Sequence, residues 1–161
     1  MSTNSLESYK EDVDLALVCA KVVDEYSIVF KNIEFNMPED GVDIIKGREI
    51  WLERCIVNII DNAIKFANKD KEENKISLNI TEDTKEIKIE IYDNGIGIPE
   101  DKLEDIFIPY YGTKSRVSTG IGLAYVKHIM NLHKGKVLVE STKGEYTKFT
   151  LVFNKDSNEE I

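Results

Sequence analysis

The segment from Arg48 to Asn68 constrains this chain more than any other. Wound as a helix of about 3.6 residues per turn, it gathers Leu52, Ile56, Ile59, Ile60, Ala63, Ile64 and Ala67 on one broad apolar arc. Trp51, Asn58, Asn62 and Lys65 fall together on the other side. A merely solvated face would carry Glu and Lys. Asn is a poor helix former, so two carboxamides one turn apart are either tolerated surface residues or placed for a purpose. Neutral oxygen ligands followed by an ammonium group suit a metal-bound polyphosphate.

What surrounds that helix is one domain's worth of chain. Its 161 residues are enough to bury a core, and 42% apolar with 32% charged residues is the balance of an ordinary globular protein. Acidic residues outnumber basic ones by 30 to 21, and no Lys/Arg cluster stands out, which argues against nucleic acid as a partner. The apolar runs are broken every few residues, far short of the roughly 20 needed to span a bilayer, and there is no signal-peptide pattern. A cytoplasmic piece without membrane insertion is expected; an inner-membrane anchor of a parent protein would lie outside it. Cys19 and Cys55 sit in apolar helical patterns with no metal or redox spacing, and are read as reduced core residues.

Residues 1–10 have the composition of a flexible N-terminus, 11–155 that of the folded domain, and 156–161 that of a frayed acidic tail. Asp14 is a plausible N-cap for a first helix running to Tyr26. Ile33 to Met37 and Val42 to Ile45 read as two short strands around a turn composition at Pro38 to Gly41. Asn68 to Asn74 is a charged loop without a pattern. Ile76 to Ile80 and Ile87 to Ile91 alternate strictly around a polar turn, as a hairpin with one buried face does. A short helical turn and a long loop fill Glu100 to Thr119, a helix carrying Val126, Ile129 and Met130 ends near Gly135, and Lys136 to Ser141 and Tyr146 to Asn154 form two last strands. The order predicts an α+β fold, a two-layer sandwich of a mixed, mainly antiparallel sheet with helices on one face.

Two glycine turns carry the remaining chemistry. Asp93 stands at the end of a strand beside Gly95 and Gly97, which allow positive φ and close approach of a ligand to the backbone. A carboxylate fixed there can accept from an exocyclic amine. Gly120 and Gly122 lead into a helix, whose first N–H groups favour phosphate. This second turn has neither the pattern of a P-loop nor that of a dinucleotide fold, so a different nucleotide fold is indicated.

Asn58-Ile59-Ile60-Asp61-Asn62-Ala63-Ile64-Lys65-Phe66 resembles the N box of the sensor histidine kinase catalytic domain. Asp93 to Ile98 resembles its G1 box, Phe107-Ile108-Pro109-Tyr110 its F box, and Gly120-Ile121-Gly122-Leu123 its G2 box. The four motifs occur in order between Asp14 and Phe153. The fold implied is the Bergerat fold of the GHKL superfamily, shared with gyrase, Hsp90 and MutL ATPases. The cofactors implied are ATP and Mg²⁺, with Asn62 as the metal ligand and Asn58 and Lys65 near the phosphates. Asp93 would recognise the adenine amino group, helped through water by Thr147, while Gly95, Gly97 and Ile98 would admit the base. Phe107 to Thr119 would form the lid, with Thr113 in it and Lys114 or Arg116 reaching the γ-phosphate; Gly120, Ile121, Gly122 and Leu123 would lie under the phosphates. Departures from the family pattern are Gly144-Glu145-Tyr146 for a usual Gly-x-Gly, Arg48 for a common Asp, and Tyr110 for a frequent Phe.

The resemblance also implies transfer. Hydrolysing relatives place a Glu one turn before the metal Asn as the water-activating base; here that position is Asn58, and a carboxamide cannot take a proton. Asn58, Lys65 and Lys114 are accordingly the residues expected to serve γ-phosphoryl transfer. The acceptor would be a His on a separate dimerisation domain of the parent kinase, in cis or in trans, with a response regulator downstream. His128 and His133 lack the acidic neighbour of such an acceptor and read as solvated or structural. The rival expectations are an anti-sigma-factor-type serine kinase and a non-catalytic ATP-sensing module of the same fold. A gyrase or Hsp90 type fits least, since Asn58 replaces the base.

Overall fold

The computed structural model describes residues 10–38, 43–109 and 122–155. Its main sheet has five strands: β2 (Ile33–Asn36), β4 (Ile76–Glu82), β5 (Glu86–Asp93), β6 (Lys136–Thr142) and β7 (Tyr146–Asn154). They are ordered β2-β4-β5-β7-β6, with β2 parallel to β4 and every other pair antiparallel. Helices α1 (Leu15–Tyr26), α2 (Glu49–Lys65) and α3 (Gly122–Leu132) share a single apolar core with this sheet.

Strand alternation decides what faces that core. In β5, Ile87, Ile89 and Ile91 are buried while Lys88, Glu90 and Tyr92 are half-exposed. Phe149, Leu151 and Phe153 continue the apolar face on β7. Both runs end in a polar residue at the same level, because the register pairs Asp93 with Thr147. Ser141 of β6 pairs with Thr147 in turn. The sheet thus presents an apolar face to the helices, closed at one end by a polar rung of Asp93, Thr147 and Ser141.

A second sheet differs from expectation. The short strands flanking the Pro38 to Gly41 turn do not join one another: β2 enters the main sheet, while β3 (Ile44–Gly47) pairs antiparallel with β1 (Glu11–Asp14). The polar sequence of β1 has no strand signature, and only the distant β3 supplies its ladder. Asp14 ends β1 and still caps α1, accepting from Leu17 N at 3.1 Å.

Helix α2 starts without a side-chain cap from its own N-cap, Arg48. Its orphan N–H groups are met by distant elements instead. Arg48 N donates to His133 Nε2 at 3.1 Å, and Glu49 N to the Glu11 carboxylate at 3.0 Å. His133 Nδ1 lies 2.8 Å from Ile129 O, so the buried ring is neutral with its proton on Nδ1, and burial lowers its pKa. His128 is exposed. Helix α3 ends at Leu132, close to Gly135 as expected, but the left-handed residue is Lys134, at φ 60°, whereas Gly135 is needed because a Cβ there would lie 2.2 Å from Val152 O. Cys19 and Cys55 are buried free thiols, each pushed up to about 12 chiefly by desolvation, and so remain protonated.

Candidate functional site

A cavity of about 440 Å³ opens between α2, the polar end of the sheet, the turn after β5 and the start of α3. One wall is a helix face. Asn58, Asn62 and Lys65 line the cavity together, so the stripe seen in the sequence is a wall. Trp51, from the same stripe, does not reach it; its ring lies under the Arg48 guanidinium at 5.1 Å. Asn58 Nδ2 donates to Gly122 O at 3.1 Å, tying α2 to the first residue of α3 and committing the amide's nitrogen. Asp61 also lines the cavity and accepts from the Tyr26 hydroxyl at 2.5 Å. Burial and that carboxylate push the Tyr26 phenol's pKa up.

The opposite wall is assembled from separate segments. Asp93, 9% exposed, and Thr147, 5% exposed, close the cavity at the sheet end. Desolvation raises the Asp93 carboxyl to about 6, against the opposing pull of the Gly95 N–H and the Lys71 ammonium. Gly95 N donates to Asp93 Oδ1 at 2.9 Å. Positive φ is needed at Gly97, at 72°, but not at Gly95. Gly95 is required by crowding instead: a Cβ would sit 2.5 Å from Phe66 O and 2.8 Å from Asp93 Oδ1. Gly95 therefore holds the carboxylate without lining the cavity, whereas Gly97 and Ile98 do line it.

The turn from Asn94 to Ile98 is stitched on three sides. Ile96 N donates to Phe66 O at 3.0 Å, Gly144 N donates to Ile96 O at 2.6 Å, and Ile98 N donates to Ser141 Oγ at 2.7 Å. The β6–β7 turn with its altered glycine pattern is closed by Glu145 N to Thr142 O at 2.9 Å, with Gly144 at φ 84°. The supposedly patternless loop after α2 is held too. Lys71 Nζ donates to Asn94 O and to Glu145 O, both at 2.7 Å, and Asn94 Oδ1 accepts from Lys75 N at 2.6 Å.

Gly122 and Leu123 complete the lining at the start of α3. Among the described residues, the atoms nearest a Cβ on Gly122 would be those of Asn58, at 3.8 Å or more, so none of these neighbours forces a glycine there. Phe107 is not in the wall. It stands one layer back, edge-on to Phe149 at 6.2 Å and under Lys127 at 5.9 Å, while Ile106 and Phe149 form the surface. Thr113, Lys114, Gly120 and Ile121 lie outside the described residues.

Sequence reasoning missed several lining residues. Asp61 was legible, being three and four residues from Asn58 and Lys65 on the same stripe. Phe149 was legible too, as the next same-face residue after Thr147. Lys102 and Pro99 were not, because only the path of the turn after β5 brings them to the rim.

The family model for histidine kinase-, DNA gyrase B- and HSP90-like ATPases matches residues 47–157. The adaptive-response sensory kinase SasA of Rippkaea orientalis is 30% identical over 158 residues, which is 92% of this chain and 40% of that protein. The sensor protein KdpD of Clostridium acetobutylicum is 35% identical over 136 residues, 80% of this chain and 15% of that protein. The chain thus spans less than half the length of these curated relatives. Among solved structures, the nucleotide-free catalytic domain of the histidine kinase ThkA superposes with a TM-score of 0.78 at 22% identity, covering 91% of this chain and 98% of that one. Full-length ShkA in complex with AMPPNP gives 0.78 at 21% identity, covering 89% of this chain and 30% of that one. These likenesses establish the mixed α+β fold of histidine kinase catalytic domains. No helix among the described residues is long and apolar enough to cross a membrane.

Proposed function

Because the chain belongs to the histidine kinase-, DNA gyrase B- and HSP90-like ATPase family and is an ATP-binding catalytic domain of the sensor-kinase kind, we propose that it passes the γ-phosphoryl group of ATP to a histidine of a dimerisation domain outside this chain. A response regulator would then receive it. The observation that carries this reading is the facing of two walls across one cavity: Asn58, Asn62 and Lys65 on a helix, and Asp93 with Thr147 at the end of a sheet.

Adenine suits the sheet wall. The Asp93 carboxylate offers an acceptor to the exocyclic amine, and Gly97 and Ile98 leave room for a flat ring beside the backbone. The phosphates suit the opposite end, where the Lys65 ammonium and the first turn of α3 offer positive charge and N–H groups. Mg²⁺ fits the same end. The Asn58 nitrogen is committed to Gly122 O, and the cavity-facing donors left on α2 are the carboxamide oxygens and the Asp61 carboxylate, hard ligands for a hard cation. Asn62 would hold the ion, which when bound neutralises phosphate charge. Lys114 would add a cation from the lid.

Asn58 favours transfer over hydrolysis. It stands where a base would activate water, and its amide can neither take a proton nor turn freely while bonded to Gly122. ATP bound here keeps its γ-phosphoryl for an incoming imidazole. Calorimetric titration with a non-hydrolysable ATP analogue, with and without Mg²⁺, tests the reading. Wild type should bind more tightly with the metal, and Asn62→Asp should change that metal dependence. Equal affinity for adenine and non-adenine nucleotides, or no binding, would overturn it.

A further inference from the structure

A serine hydroxyl has one proton and two lone pairs, and Ser141 has all three engaged. It donates to Tyr146 O at 2.6 Å, accepts from Ile98 N at 2.7 Å, and meets Thr147 Oγ1 at 3.0 Å. Since the serine proton is spent on the shorter bond to a carbonyl, which can only accept, the third contact needs the threonine as donor. Thr147 lines the cavity, so the consequence falls on the ligand: its hydroxyl has no proton left to give. Asp93, its register partner, is also an acceptor when ionised, with Gly95 N–H already on Oδ1.

Resting on the nucleotide reading above, we infer that Ser141 is a positioning residue for base specificity: by accepting from the Thr147 hydroxyl it leaves the Asp93 carboxylate and the Thr147 oxygen as two acceptors for the two N–H bonds of a 6-amino purine's exocyclic group, which a 6-oxo purine lacks. A 6-oxo group would set its carbonyl oxygen against acceptors. Discrimination of this kind is strong because a buried polar mismatch is left without compensation. Ser141 does this without touching the base. The same bond to Ile98 N fixes the turn that borders the base, so orientation of the hydroxyl and shape of the rim are set by one atom.

Ser141→Ala frees the Thr147 proton to turn toward the cavity. The expected result is a fall of about tenfold in the ratio of ATP to ITP affinity, one hydrogen bond's worth, measured by calorimetry on the full 161-residue chain. Loosening of the turn alone would weaken both nucleotides equally, and an unchanged ratio would overturn the inference. Ser141→Thr should restore the ratio, and Ser141→Cys, with a weak hydrogen-bonding thiol, serves if the alanine variant does not fold. On a Thr147→Val background, Ser141→Ala should leave the ratio unmoved; a further shift would also sink the idea. If the wild-type chain binds neither nucleotide, the nucleotide reading itself fails and takes this one with it, a result visible before any variant is made.

Discussion

The two walls of the cavity are built in opposite ways. The α2 wall is one helix, and its polar side chains share a face because of local geometry alone. The sheet wall is composite: Asp93 comes from β5, Thr147 from β7, and Gly97 and Ile98 from a turn, with Ser141 of β6 and Lys71 of the loop after α2 bonded to these segments from outside the cavity. Substitutions in a helix wall remove a contact and leave its neighbours in place. Substitutions in a composite wall move several segments at once, so structure and binding are coupled there.

Gly97→Ala should break the comparison hardest. A Cβ would meet Thr142 O at 2.2 Å with the residue held at φ 72°. We expect a loss of at least about 3 kcal/mol in stability by urea denaturation, with nucleotide binding lost. Asp93→Asn should come next, and split the two properties. Affinity for ATP should fall by about 100-fold, as for loss of a bond to a charged group. Stability should rise, because desolvation raises the native carboxyl to about 6 from its ordinary value of 3.8. A carboxyl whose pKa is raised on folding destabilises the native state wherever it is ionised there. The stability gap between variant and wild type should therefore be full above pH 6 and close as the pH falls toward 4. Nucleotide affinity of the wild type should weaken as the pH falls through 6; a flat profile would count against Asp93 as the acceptor.

On the helix wall, Asn58→Glu should raise phosphate release by about tenfold, below the roughly 10²–10⁴ of a fully positioned base. It also loses the donor to Gly122 O, so a modest drop in melting temperature is expected. The smallest effect belongs to Lys71→Met. Two bonds to carbonyls are lost, costing about 1 kcal/mol, and ATP affinity should fall only a few-fold. With its ammonium gone, the pH midpoint of binding should move upward, since that charge favours ionised Asp93.

The helix wall was readable because its information is periodic: Asn58, Asn62 and Lys65 meet whenever the segment winds into a helix, whatever else the chain does. Glycine turns were readable as turns, yet their reasons were not. Sequence gives Gly95 and Gly97 the same status, and only the tertiary structure shows that Phe66 and Asp93 crowd the one at ordinary φ, while the other combines a positive φ with crowding by Thr142. Nor could spacing show that β1 would pair with β3, or that Glu11 and His133 would cap α2.

By itself the sequence determined the helices, the strand alternation, the order of the motifs and the polar stripe, all properties of neighbours within one or two turns. Tertiary structure alone decided which lone pairs and protons face the cavity. The Asp93, Thr147 and Ser141 rung is set by cross-strand register between residues far apart in the chain, and a hydroxyl's direction depends on which partner claims its single proton. Local periodicity fixes where a side chain points, but hydrogen-bond polarity is settled only when every competing donor and acceptor has been brought into place.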